Sequence, residues 1–518
     1  MKLYAWQQEC LQAWESHHFR GIAHVVTGAG KTFLALNAMD LYLACYPGAS
    51  IRIVVPTIPL AQQWQTALLH HFSDPDLRPG FFGGGVRDAS DRRIVIYIVN
   101  SARDALSNHV RRDFALGRHV LLVCDECHHY QSPQNRHIFD FVHSSFASGE
   151  QYASLGLSAT PFGTANDAVL TEALGQEFFR YDVNAAASDG IISPFSICEV
   201  GISFLPRERE AYQQLSLELM LLIKQLLKAY PELNGLSSAA FLRAVTKIAH
   251  AAKMDPKNIA VSFLLKSWKR KEISVLADSR ILCGLNLIET LPAGERILIF
   301  CERISQASHM AQAIRKRFGS VCALYHSEMS KEARARNMDD FRSGRCRMLV
   351  SCRCLDEGID VPDAAVGLVL SGTAVTRQRI QRLGRILRRA EGKDTASLYY
   401  LYIQESADDA AYLPGLEGCR SFSLFFRSQD QDFENNLYVY AASELMQKSR
   451  AAGYSDAQLT ELRHCLMEGL TRGDYLLSSE LQSLQMREAS SRHERNYWQT
   501  MRRLGRYFSE DSHSGESI

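Results

Sequence analysis

Two stretches of the chain bring together residue types that phosphate chemistry needs. In VVTGAGKTFLAL, at 25–36, an apolar run enters a Gly-rich turn, and Lys and Thr then open a helical pattern. Gly28 and Gly30 let backbone amides approach phosphate oxygens, and the helix N-terminus adds partial positive charge. From this turn of Thr27, Gly28, Ala29 and Gly30, Lys31 would reach the β and γ phosphates and Thr32 would hold Mg²⁺. The general phosphate-loop pattern has Gly where this chain has Val25, but a strand before and a helix after are the context it requires. The second stretch, CDECHHYQ at 124–131, follows the apolar run HVLLVC. Asp125, at the carboxyl end of that strand, can orient Mg²⁺ and its water shell, and Glu126 can polarise an attacking water. Cys124 and Cys127 have zinc-ligand spacing. Strand alternation, however, puts Cys124 on the buried sheet, and no second pair of matching spacing accompanies them. A third stretch, RQRIQRLGRILRR, packs six arginines into 377–389. Such a run is ordinarily a solvated basic face, but it follows the strand pattern VGLVLS, and phosphate cleavage needs a mobile positive group.

The elements that must position these residues can be read from the pattern. Apolar runs alternate with helical text up to about residue 200: IAHVV, IRIVVP, IVIYIV, VLLVC and ASLGLSAT. This is the rhythm of a parallel sheet covered on both faces. A second series begins at RILIF and continues through VCALYH, RMLVSC, VGLVLS and SLYYLYI, which predicts another parallel α/β unit. Between them, Leu215, Leu219, Leu222 and Leu226 form one stripe of an amphipathic helix. The expected organisation is a first lobe over 1–200, a helical insert over 201–290, a second lobe over 291–404, and a helical C-terminal extension over 405–518. Its tail, SEDSHSGESI, is expected to be disordered.

Composition agrees with a multi-domain globular protein. The 518 residues exceed one ordinary core, with 46% apolar and 22% charged residues. A net charge of +1 means that any nucleic-acid surface must be local. The thirteen scattered cysteines suit a reducing compartment, and no targeting or membrane-spanning pattern is present, so a cytoplasmic location is expected.

Taken in order, these residues resemble the superfamily 2 helicases and translocases, whose second motif reads Asp-Glu-x-His, here Asp125 to His128. The resemblance runs from about residue 1 to 404. YAWQ (4–7) is similar to the adenine-reading element, with Gln7 as its base contact; VPTIPLAQQW (55–64) is similar to motif Ia. SAT (158–160) resembles motif III, LIFCERISQA (298–307) motif IV, LDEGIDVP (355–362) motif V and QRLGRILR (381–388) motif VI. The resemblance implies two tandem RecA-like lobes in an α/β fold, with ATP and Mg²⁺ as cofactors; no zinc is expected. It implies that Lys31, Asp125, Glu126, Gln381, Arg385 and Arg388 act in catalysis, with the two arginines as fingers across the cleft. Gly358 and Asp360 would line that cleft. His128, Ser158 and Thr160 would couple nucleotide state to the track, and Thr57, Gln63, Gly84, His326 and Ser327 would contact nucleic acid.

The function expected is ATP-driven translocation along DNA or its unwinding. IPLAQQW, EGIDVP and QRLGRILR look more like the DNA repair and restriction translocase branch than like RNA helicases, which leaves RNA remodelling as the alternative within the class. A different class is an ATPase subunit that serves a nuclease or defence complex, with 405–518 as the candidate surface for a protein partner. A nucleotide switch without nucleic acid has no need of motifs V and VI.

Overall fold

The computed structural model describes residues 2–88, 91–142, 151–162, 167–193, 195–255, 258–292, 294–352, 364–371, 395–406 and 420–510. Motifs V and VI, with Gly358, Asp360, Gln381, Arg385 and Arg388, lie outside the described residues, as does the tail from 511.

Among the described residues, two eight-stranded sheets carry the fold. The first is built from β1 (Arg20–Val25), β2 (Ser50–Val55), β3 (Gly80–Gly83), β4 (Val86–Arg87), β5 (Ile94–Ile98), β6 (Val120–Asp125), β7 (Tyr152–Ser158) and β8 (Glu177–Tyr181). Their spatial order is β4-β3-β5-β2-β6-β7-β1-β8, with every pairing parallel except the β3–β4 hairpin at the edge. Strands β2, β5, β6 and β7 are buried along their whole length, which is why they read as unbroken apolar runs rather than alternating ones. Helices Ala5–Ser16, Lys31–Cys45, Ile58–His71 and Val99–Ala115 cover the faces. Buried Arg52 on β2 is held by Asp113 at 2.6 Å (Nη2 to Oδ2) and 2.9 Å (Nε to Oδ2), so a charge inside the sheet layer is paired.

The second sheet contains β9 (Phe195–Ile202), β10 (Ile297–Cys301), β11 (Cys322–Tyr325), β12 (Met348–Cys352), β13 (Val366–Val369), β14 (Ala396–Ile403), β15 (Arg420–Arg427) and β16 (Asp432–Glu434), in the order β11-β12-β10-β13-β14-β9-β15-β16. Only β15–β16 is antiparallel. These are two parallel-dominated α/β lobes in tandem, as the alternation predicts, and they fit the RecA-like lobes that the resemblance implies. The strand content differs from the expected segment boundaries in two places. Strand β9, at the end of the segment assigned to the first lobe, lies inside the second sheet between β14 and β15. The extension read as helical contributes β15 and β16 to that same sheet before its helices begin at Asn436. Local pattern gives strand character, but the partner of a strand is set by contacts 200 residues away, such as Phe195 against Ala396.

The insert is a helical unit with a core of its own. Helices Pro206–Ala229, Ser238–Ala251 and Ile259–Val275 bury Leu219, Leu226, Val245, Ala249, Val261 and Leu264 together. Three residues of the expected stripe, Leu215, Leu219 and Leu226, are buried on the first of them, and Leu222 is half-buried. The C-terminal helices pack on the second sheet: Tyr438, Leu462, Leu466, Leu470, Tyr497, Trp498 and Met501 share its core. Among the described residues, no helix is long and apolar enough to cross a membrane.

Candidate nucleotide site

The phosphate loop, Asp125 and Ser158 emerge at the carboxyl ends of three adjacent central strands, β1, β6 and β7, where α/β sheets place their ligands. Gly28 and Gly30 have φ of 90° and 96°, a backbone that disfavours side chains. A Cβ on Gly30 would lie 3.1 Å from Gln7 Nε2. Gln7 is fully buried; its Oε1 accepts from the Tyr4 amide at 3.0 Å, and its Nε2 donates to Gly30 O at 3.3 Å. The first helix is thereby tied to the loop that follows β1. Thr27 and Ala29 are buried in the turn, and Thr32 lies in the first turn of helix Lys31–Cys45.

Lys31 Nζ is 3.4 Å from Glu126 Oε1, which joins the loop to the acidic pair across β7. Glu126 sits in a left-handed conformation, φ 47° and ψ 49°, unusual for a residue with a side chain and common where a backbone is held for function. Asp125 is 5% exposed and accepts two hydrogen bonds, from Trp64 Nε1 at 2.8 Å and from the Glu126 amide at 3.0 Å. Burial, with the Glu126 charge second, pushes its carboxyl up to about 6. The Tyr130 hydroxyl lies within hydrogen-bond distance of Asp125 O and Val54 O, at 2.7 and 2.9 Å, and pins the turn that leaves β6.

A second chain of contacts leads away from Glu126. Its Oε2 is 3.5 Å from His128 Nδ1, which is 2.9 Å from Ser158 Oγ, and that oxygen accepts from the Thr160 amide at 3.0 Å. His24, on β1, adds a parallel link through Nε2 to Ala159 O at 2.8 Å. The structure thus connects Lys31, Asp125, Glu126, His128, Ser158 and Thr160, and places Gln7 against the loop.

Trp64 and His24 are the members that sequence reasoning missed. The sequence favours Trp64 as a core residue, which it is at 0% exposure, but its indole N–H also holds the Asp125 carboxylate. A Trp one helical face from an apolar stripe gives no signal of which polar group its nitrogen reaches.

Cys124 and Cys127 are both fully buried, and burial raises both thiols far above the range in which a thiolate forms. Both lie among the apolar residues of the first-lobe core, where a cysteine packs as a small hydrophobe.

Of the candidate nucleic-acid contacts, Thr57 caps helix Ile58–His71 and Gly84 lies in the β3–β4 turn, where a Cβ would meet Ile58 Cδ1 at 3.3 Å. These two share one surface, with Gln63 exposed further along the helix. His326 and Ser327 follow β11 on the other sheet, the first half-buried and the second exposed.

The residues fit a magnesium-bound nucleoside triphosphate. Thr27 Oγ1 is buried without a hydrogen-bond partner among the described residues, a Gly-lined loop opens at a helix N-terminus, and a lysine faces a carboxylate pair. Comparison with known proteins points the same way. Residues 1–163 match the family "Type III restriction enzyme, res subunit", and 279–390 match "Helicase conserved C-terminal domain". The chain is 29% identical over 393 residues to the DNA 3'-5' translocase XPB2 of Sulfurisphaera tokodaii, covering 76% of this chain and 80% of that one. It spans about half the length of the haloarchaeal relatives that also match. The fold resembles that of the ATP-dependent Type ISP restriction-modification enzyme LlaBIII bound to DNA (TM-score 0.52, 14% identity, 97% of this chain and 41% of that one). It also resembles the DUF1998 helicase MrfA bound to DNA (TM-score 0.50, 15% identity, 78% and 47%). The two matched domains and the translocase relative together support a superfamily 2 helicase or translocase, an enzyme that hydrolyses ATP.

Proposed function

We propose that this protein couples ATP hydrolysis to movement along DNA, or to its unwinding. The observation that carries the reading is the run of close contacts from Lys31 to Glu126, His128, Ser158 and Thr160, in which the Glu126–His128 step is a 3.5 Å approach without a hydrogen bond, because it leads from a phosphate-sensing charge to a segment that leaves the sheet. Thr32 and Asp125 would hold Mg²⁺, which supplies charge neutralisation at the phosphates. Lys31 would leave Glu126 for the terminal phosphates, and Glu126 is then free to take a proton from the attacking water. Departure of Lys31 also changes the field at His128, which carries the event to Ser158. By the family resemblance, Gln381, Arg385 and Arg388 complete the site from the second lobe, with Gly358 and Asp360 lining the cleft. Gln7 reads the base.

DNA is favoured over RNA by the relative that is named a DNA 3'-5' translocase and by the fold shared with DNA-bound enzymes. Thr57, Gln63 and Gly84 on the first lobe, and His326 and Ser327 on the second, are the proposed contacts, made to phosphates without sequence readout. No zinc role is proposed for Cys124 or Cys127. The reading includes a cytoplasmic location. A second reading, an ATPase that recruits a protein partner through 405–518, is favoured by Leu437 and Tyr440, which are 72% and 73% exposed on a helix otherwise packed on the second sheet.

The test is the ATP hydrolysis rate of the pure chain alone and with single-stranded DNA, duplex DNA and single-stranded RNA at fixed low salt. Stimulation by DNA supports the proposal. Stimulation by RNA alone replaces the track, and a rate unchanged by all three replaces the motor with the partner-activated ATPase.

A further inference from the structure

Far from the nucleotide site in sequence, two C-terminal helices place imidazoles and carboxylates together. Helix Asp456–Arg472 carries Glu461, His464 and Glu468 at spacings of three and four, which the helical repeat puts on one face. His493, at the start of helix Arg492–Glu510, lies against that face. Its Nδ1 is 2.6 Å from Glu461 Oε1, and its Nε2 is 3.2 Å from Glu468 Oε2. His464 Nδ1 is 3.8 Å from Glu468 Oε1, and ligand atoms of His464, Glu468 and His493 all lie within 4.8 Å of one another.

We propose that His464, Glu468 and His493 bind a divalent transition-metal ion of the zinc type, with Glu461 orienting His493 for it. Two imidazoles and a carboxylate form a donor set that suits zinc and its first-row neighbours, whereas magnesium prefers oxygen ligands alone. Ligand atoms about 2.0–2.1 Å from a tetrahedral ion stand roughly 3.4 Å apart, and the separations from Glu468 Oε1, 3.3 Å to His493 Nε2 and 3.8 Å to His464 Nδ1, fall on either side of that value. The His464 side chain is 69% exposed, so its ring can swing the remaining distance. Glu461 occupies the other His493 nitrogen, which is the carboxylate–histidine arrangement that fixes the tautomer and aims the ring at a metal. The competing account is a protonated His493 shared between two carboxylates. That account explains Glu461 and Glu468 but gives His464 no purpose, with its ring centre 5.4 Å from that of His493.

Such an ion would staple the last helix to one whose Leu462, Leu466 and Leu470 lie in the core of the second sheet. The experiment is calorimetric titration of the metal-stripped full chain with ZnCl₂ and, separately, MgCl₂. One zinc equivalent should bind and raise Tm, and magnesium should compete poorly with it. His464→Ala removes an exposed side chain and should lower zinc affinity at least tenfold, while Glu461→Gln should lower it about 10- to 100-fold. Basal ATP hydrolysis should be unchanged in both variants. Failure to bind a zinc equivalent overturns the proposal. So does zinc binding that is the same in wild type, His464→Ala and His493→Ala, because the ion would then sit on cysteines elsewhere.

Discussion

Trp64→Phe tests whether the buried indole supports the proposed magnesium site. Asp125 has two donors, the Trp64 indole at 2.8 Å and the Glu126 amide at 3.0 Å, and Trp64 itself is inaccessible to solvent. Phe retains most of the apolar volume that packs in the first-lobe core with Ala61 and Leu68, so the fold should survive. What is lost is a hydrogen bond to a charged group in a place where water cannot replace it, worth about 1.5–3 kcal/mol. If that stabilisation serves the carboxylate that holds Mg²⁺, the variant should need about 10- to 150-fold more magnesium for half-maximal ATP hydrolysis, at 1.4 kcal/mol per tenfold. The assay is steady-state hydrolysis against magnesium concentration at saturating ATP, with Tm measured in parallel. A magnesium midpoint within twofold of wild type, in a variant whose Tm is also unchanged, would refute the reasoning and return Trp64 to a packing role.

Three further outcomes are expected. Glu126→Gln should keep ATP and DNA binding but lose about 10²- to 10⁴-fold in turnover, read by single-turnover hydrolysis. Asp125→Asn should be inactive yet more stable at pH 7.5. A carboxyl raised to about 6 by burial and Glu126 carries its charge at a cost above that pH, on the order of 2–3 kcal/mol, and the cost fades as pH falls toward the unfolded value near 4. Urea midpoints at pH 7.5 and pH 4 check the sign, since the gain should vanish at the lower pH. Ser158→Ala should leave basal hydrolysis near wild type and reduce its stimulation by DNA about 5- to 150-fold, the range of an ordinary coupling energy.

The grouping of the candidate nucleotide-site residues was largely legible in the sequence, because phosphate chemistry ties residue type to spacing over a few positions. TGAGKT and CDEC announce themselves within one strand and one turn, and the structure brings Lys31 to 3.4 Å from Glu126. The long-range pairings were not legible. FSICEVGI at 195–202 reads as a strand, but nothing local says that it joins the second sheet and not the first. RSFSLFFR at 420–427 alternates as a strand should, and its place beside β9 is likewise decided by partners far along the chain. Trp64 shows a third limit, since burial was readable from its neighbours and the direction of one N–H was not.

The position of β9 bears on how the chain is made. As it leaves the ribosome, the first sheet has all of its strands once Tyr181 has emerged, and that lobe can close on contacts already available. Strand β9 comes next, yet its neighbours β14 and β15 are synthesised some two hundred residues later, after the whole helical insert. An apolar strand buried along most of its length in the finished sheet must therefore wait with both edges unpaired, and in that interval it is open to pairing with a second nascent chain. The insert, which has its own core and can form from local contacts, is made during that wait. A fragment meant to isolate the first lobe should accordingly end before Phe195; one carried on to Ile202 would keep a sticky strand without its partners and should aggregate.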